Sequence, residues 1–189
     1  MSEAAGTGAG AGAGVTLGLL AAWVVHDAEE LAMVPRWTRA RVPELRERFP
    51  QVPPALWRRL ESAGEGPGFA VAVAGVGVVM AAAAVDGRRT GGRSGFYQSA
   101  LTGFGVHGMA HLAQAAAVRG YTPGSVTAPL VVIPFTLWAR RRLRRAGVLR
   151  PARARDAVWG LALAAAVTAG AHAVAGRIVP RDRPRGTDG

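Results

Sequence analysis

The arginines of this chain bracket its apolar runs rather than interrupt them, and every one of its 23 basic residues is an arginine. The stretch Phe69–Val85 (FAVAVAGVGVVMAAAAV) is wholly apolar and is followed by Arg88 and Arg89. Apolar runs flanked by basic residues are the pattern of membrane-spanning helices. A net charge of +11 would also suit a nucleic-acid binder. Here the positive charge lies between apolar segments instead of along one basic face, so no nucleic-acid partner is expected. The chain has no cysteine, which removes disulfides, thiolate metal ligands and a thiol nucleophile. Its 26 glycines fit close helix packing in a membrane.

The expected fold is all-α: an integral membrane helical bundle of about five spans in a multi-pass cell-membrane protein, with the lipid bilayer as its partner. Residues 1–14 form a Gly/Ala-rich tail expected to be disordered. This tail lacks the basic start of a signal peptide, so the first apolar segment is expected to stay in the mature protein. Residues 15–180 form the transmembrane domain, and 181–189 a flexible tail. The spans are read at 15–34, 69–85, 96–118, 126–138 and 157–179. Pro35 is expected to end the first. The fourth is short and contains Pro129 and Pro134, which implies a kink, a tilt or an extension into the arginines that follow.

Residues 36–67 hold seven arginines, four glutamates and five prolines. Within them Val52–Leu60 places Trp57 among polar neighbours, as in a short helix lying at a membrane surface or a solvated loop. Arginine counts give no orientation. With the N-terminus outside, the inner segments hold seven (36–67), one (Arg119) and four (177–185). The outer segments hold three (88–93) and eight (140–155).

The ionisable residues inside the runs carry the chemistry. All four histidines (His26, His107, His111 and His172) fall in spans, as do Asp27, Glu29 and Glu30. An acid at the centre of a membrane helix costs about 2.5–3.5 kcal/mol, and a Leu or Val returns only about 0.3–0.6 kcal/mol. Three such acids, at roughly 8–10 kcal/mol together, must face the bundle interior or be neutralised by protonation, pairing or metal. His26, Glu29 and Glu30 stand at i, i+3 and i+4 on one helix face. His107, His111 and Gln114 share a face of the third span. Two helices with one polar face each are expected to bring those faces together. The metal ligands expected are therefore His26, Glu29, Glu30, His107 and His111, with Glu29 and Glu30 also the candidate catalytic carboxylates. Carboxylates with imidazoles suit a divalent zinc, iron or manganese ion, and helix bundles with di-iron sites use similar inward-facing sets. Asp27, Gln114 and His172 are placed around this set, although His172 stands alone in an Ala/Gly-rich run and needs only a packing hydrogen bond. GFGVHG (103–108) lacks the Lys-Ser/Thr of a phosphate loop, so its glycines are read as helix contacts. Tyr121-Thr-Pro-Gly124 reads as a turn.

His26-Asp-Ala-Glu29-Glu30 resembles the signature of the HXXEE-domain family, small multi-span bacterial membrane proteins. A second region of that family, a polar residue with His four positions on and then a Tyr-x-Pro-Gly turn, is similar to His107-Gly-Met-Ala-His111 followed by Tyr121-Thr-Pro-Gly124-Ser-Val-Thr127. The family commonly has Asn at the first of these positions, so His107 is a departure. The resemblance implies a membrane protein with a polar active site and supplies no reaction. A looser similarity, of chemistry alone, is to intramembrane glutamate proteases that process prenylated proteins. Here the spacing from Glu29-Glu30 to Arg36 differs, and an Asn partner for the later histidine is missing. Three functions are compatible with these residues. One is a metal-dependent enzyme acting on a lipid-like or prenyl substrate; the others are a proton-coupled transporter or channel, and a non-catalytic membrane scaffold.

Overall fold

The computed structural model describes residues 11–64 and 67–151, with Val158, Ala162 and Gly170 beyond them. The expected fifth span (157–179), His172, the C-terminal tail and residues 1–10 lie outside the described residues, apart from those three positions. The described elements are all helical: α1 (Ala13–Arg48), α2 (Pro54–Gly64), α3 (Pro67–Arg89), α4 (Gly95–Val118), a π-helical turn (Ala128–Val132) and α5 (Ile133–Arg145). Together α1, α3, α4, the π-turn and α5 form a bundle in which α1 touches each of the others.

Pro35 does not end the first helix. α1 runs on through Pro35 and Pro43 to Arg48, which at about 1.5 Å per residue makes a rod roughly 54 Å long. A proline removes one backbone donor and weakens the turn before it. Three side-chain contacts offset that loss. The Arg36 guanidinium donates to the Ala32 carbonyl. Trp37 Nε1 donates to the Tyr121 carbonyl at 2.7 Å, and Arg48 donates to the Val118 carbonyl at 2.9 Å. The last two bind the far half of α1 to the last residue of α4 and to the loop beyond it, so tertiary contacts outweigh the local stop signal.

The connector is helical in both of its parts. Its first half is the end of α1, and its second is α2, which folds back so that Trp57 is buried with Val42 and Leu45. The two helices are further joined by an Arg46–Glu61 ion pair.

The main core is built from Val15, Leu19 and Ala22 of α1, Met80 of α3, Tyr97, Leu101 and Phe104 of α4, and Ala139 and Leu143 of α5. Large rings lie against glycines, as the abundance of small residues leads one to expect: Trp23 on Gly77 and Phe135 on Gly18. Gly105 faces Thr136 and Gly108 faces Val132, so two glycines of the GFGVHG run do mark helix contacts. At one end Gln98 joins the α3–α4 turn to the segment after α5. Its Nε2 donates to the carbonyls of Gly92 (2.7 Å) and Val148 (2.8 Å), and its Oε1 accepts from the Arg150 amide at 2.8 Å.

The segment expected as a fourth span starts with the π-turn, where the Ile133 amide bonds the Ala128 carbonyl five residues back. Pro129 and Pro134 supply no amide of their own, which favours this wider local winding. The helical path then extends through Arg140–Arg145.

By length and composition, Gly68–Arg89 is long and apolar enough to cross a membrane, with a mean hydropathy of 2.3. The other described helices do not reach that standard. α1 carries Asp27, Glu29 and Glu30 in its apolar half, α4 mixes two histidines and two glutamines with its apolar residues, and α5 has 13 residues rich in arginine.

Candidate metal centre

Helical periodicity puts His26 and Glu30 one turn apart on α1, and His107 and His111 one turn apart on α4. The bundle turns these two pairs toward each other. The ring centroids of His26 lie 5.2 Å from those of His107 and 4.9 Å from those of His111, while His107 and His111 are 4.3 Å apart. His111 Nε2 is 2.9 Å from His107 Nε2 and 3.2 Å from Glu30 Oε1. One donor atom from each of the four residues can be chosen so that all lie within 4.8 Å of one another.

These distances can be compared with those around a metal ion. Two N or O donors about 2.1 Å from a shared ion stand about 3.0–3.4 Å apart in octahedral or tetrahedral geometry, and at most about 4.2 Å apart. The two short edges match. A pair at the 4.8 Å limit would close by about 0.6 Å to stand opposite one another across an ion, and by about 1.4 Å to take tetrahedral positions.

Burial separates this group from a surface charge cluster. His26 is fully buried, His111 nearly so, Glu30 keeps 15% of its side chain exposed, and His107 is partly exposed. His26 Nε2 is buried without a hydrogen-bond partner among the described residues; His111 Nδ1 is also unpaired, but it lies on the Gly124 side of a ring whose Nε2 faces His107 and Glu30. Buried polar atoms are rarely left unpaired, and a missing ion or water is a common reason when they are.

Glu29, expected among the ligands, is outside this group. Its Oε2 accepts from the Thr127 amide (2.9 Å) and the Thr127 hydroxyl (2.6 Å), and its Oε1 accepts from the Tyr121 hydroxyl at 2.9 Å. Burial and the bond to Glu29 push the Tyr121 phenol up to about 12, which keeps it a proton donor. Asp27 is buried but lies outside the four-residue group. Gln114 is exposed.

Two further residues belong to the site and were not singled out by helical spacing. The Thr127 hydroxyl lies 2.7 Å from His26 Nδ1, across 101 positions of sequence. Gly124, in the expected turn, has φ +82 and lies directly against the rings of His26 and His111. The Tyr-x-Pro-Gly pattern was the sequence signal for this loop, although nothing in it indicated contact with His26.

The family model described as "Protein of unknown function with HXXEE motif" matches residues 17–139. The chain belongs to this family. His26, Glu29 and Glu30 are the motif's three named positions, and they divide between two tasks: His26 and Glu30 enter the four-donor group, while Glu29 holds the loop that lies over it. No curated protein and no solved structure matches the chain.

Proposed function

We propose that this HXXEE protein is a multi-pass membrane enzyme that holds one divalent ion between His26, Glu30, His107 and His111 and acts on a lipid-like or prenyl substrate. The observation that carries the reading is the convergence of three imidazoles and one carboxylate from two helices, within 4.8 Å, with His26 and His111 buried. Imidazole with carboxylate is a donor set for zinc, iron or manganese. Bound there, such an ion would supply Lewis acidity and an activated oxygen nucleophile or oxidant. The partly exposed Glu30 is the carboxylate best placed to exchange a proton with a substrate. Glu29 has all its hydrogen bonds committed to the 121–127 loop and serves to hold that loop.

Support for the membrane setting comes from the apolar helix Gly68–Arg89 and from the apolar side chains exposed around the bundle, including Val24, Val25, Val78, Met109, Leu130 and Leu137. A surface of that kind suits lipid, and a site within it suits a lipid-like substrate.

A proton-conducting role for the same residues would require an unbroken hydrogen-bonded chain. Glu29, Thr127 and His26 are hydrogen-bonded in series, and His111 contacts both His107 and Glu30 beside them. Metal analysis of protein purified in detergent, washed with chelator and reloaded, separates the two readings. The metal reading expects about one ion per chain, lost in His111→Ala and reduced in Glu30→Gln. Bound metal unchanged in both variants, or proton flux in liposomes that both variants abolish, would overturn it.

A further inference from the structure

The hydrogen bonds behind His26 contain a proton count that settles which ring nitrogen is free. Glu29 Oε2 accepts the Thr127 backbone N–H at 2.9 Å. An oxygen already accepting an amide proton is the unprotonated one, so in the 2.6 Å contact with the same oxygen the Thr127 hydroxyl is the donor. A threonine hydroxyl has a single proton. With that proton committed to Glu29, the hydroxyl can only accept in its 2.7 Å contact with His26 Nδ1. His26 therefore carries its proton on Nδ1, and Nε2 presents a lone pair, on the atom that has no partner among the described residues.

We infer that Glu29 and Thr127 are positioning residues that lock His26 in the tautomer able to bind an ion through Nε2. This rests on the metal reading above and gives Glu29 a task distinct from ligation. Metal-binding histidines commonly donate their second ring N–H to a carboxylate or carbonyl, which fixes tautomer and ring orientation. Here a hydroxyl is interposed and the carboxylate sets its direction. Were Glu29 absent, the Thr127 hydroxyl would be free to donate to Nδ1. The proton of His26 would then move to Nε2 and block the atom that faces no other partner. The Tyr121 hydroxyl on Oε1 and the Thr127 amide on Oε2 hold the carboxylate from both sides, so its orientation is itself fixed.

The test uses the full-length protein in detergent with ¹⁵N-labelled histidine, the His26 signals being assigned with a His26→Asn variant. Metal-free wild type is expected to show the Nδ1–H form of His26. Thr127→Val and Glu29→Ala are expected to shift it toward the Nε2–H form, and Thr127→Ser to retain Nδ1–H. In zinc titrations, Thr127→Val is expected to lose about 10–100-fold in affinity, the usual cost of removing such a supporting partner, and Thr127→Ser to stay close to wild type. A wild type already in the Nε2–H form overturns the inference, as does a tautomer unchanged in both Thr127→Val and Glu29→Ala. Absence of zinc binding in wild type would instead sink the metal reading alone, since the tautomer is read without metal. Loss of the rescue by Thr127→Ser, with the protein still monodisperse and helical, would also count against the hydroxyl as the acting group.

Discussion

Adding one methyl group at Gly124 tests the loop and the metal centre together. The residue has φ +82, and a Cβ there would lie 2.6 Å from Cε1 and Nδ1 of His111 and 2.9 Å from Cε1 of His26. Ordinary carbon contacts are about 3.5–4.0 Å, so both rings must give way by roughly an ångström. Left-handed backbone costs a non-glycine residue about 1–2 kcal/mol, and overpacking a filled site costs about 1–3 kcal/mol. Gly124→Ala should therefore destabilise by about 2–5 kcal/mol in all. Gly147 supplies the control, since it has φ +67 with nothing within 4 Å of its added Cβ. Gly147→Ala should cost the backbone strain alone, about 1–2 kcal/mol. Thermal unfolding followed by tryptophan fluorescence gives the two stabilities, and zinc titration gives the two affinities. Gly124→Ala should be the less stable of the pair and should lose about tenfold or more in zinc affinity, while Gly147→Ala binds zinc normally. Equal stability losses would refute the contact between loop and rings. A large loss of stability with intact zinc affinity would refute the idea that those rings hold the ion.

One further substitution and one membrane fractionation bear on the scaffold. Gln98→Leu strips partners from the carbonyls of Gly92 and Val148 and from the Arg150 amide; since an unpaired buried group costs about 1–3 kcal/mol, the two buried carbonyls alone set an expected loss of about 2–6 kcal/mol by thermal unfolding, and a change below about 0.5 kcal/mol would dismiss the three-way tie. On the membrane reading, the protein should remain in the pellet after alkaline carbonate washing and leave it only with detergent. Recovery in the carbonate supernatant would remove the lipid setting.

How much of this was legible in the sequence depends on distance along the chain. The pairing of His26 with Glu30, and of His107 with His111, follows from helical period alone, and the meeting of the two pairs follows from the need of polar faces to find each other. Period gives a stripe rather than a destination, however. Glu29 lies on the same stripe as His26 and Glu30, and only the three-dimensional position of the 121–127 loop draws it away. Thr127 was beyond reach because no local rule relates it to a residue 101 positions earlier. Pro35 misled for a related reason: a local stop rule was outweighed by Arg48 reaching the last residue of α4 and Trp37 reaching the loop beyond it. The glycine of the turn was readable, because a Pro-Gly pair demands a particular backbone. Its contact with two imidazoles was not.

The four donors come as two rigid pairs, and this gives the centre the character of a calliper. Each jaw is one turn of helix, so the spacing within a jaw is set by helical pitch and varies little from protein to protein. The opening between the jaws is set by the separation of α1 and α4, with Phe104 at 5.9 Å from His26 on one side and Gly124 against His26 and His111 on the other. Under the metal reading, the ionic radius that fits is then decided by residues that own no donor atom at all. Exchanging a ligand changes what the jaws are made of; exchanging Phe104 or Gly124 changes the gap, and selectivity between a small ion and a larger one becomes a property of packing.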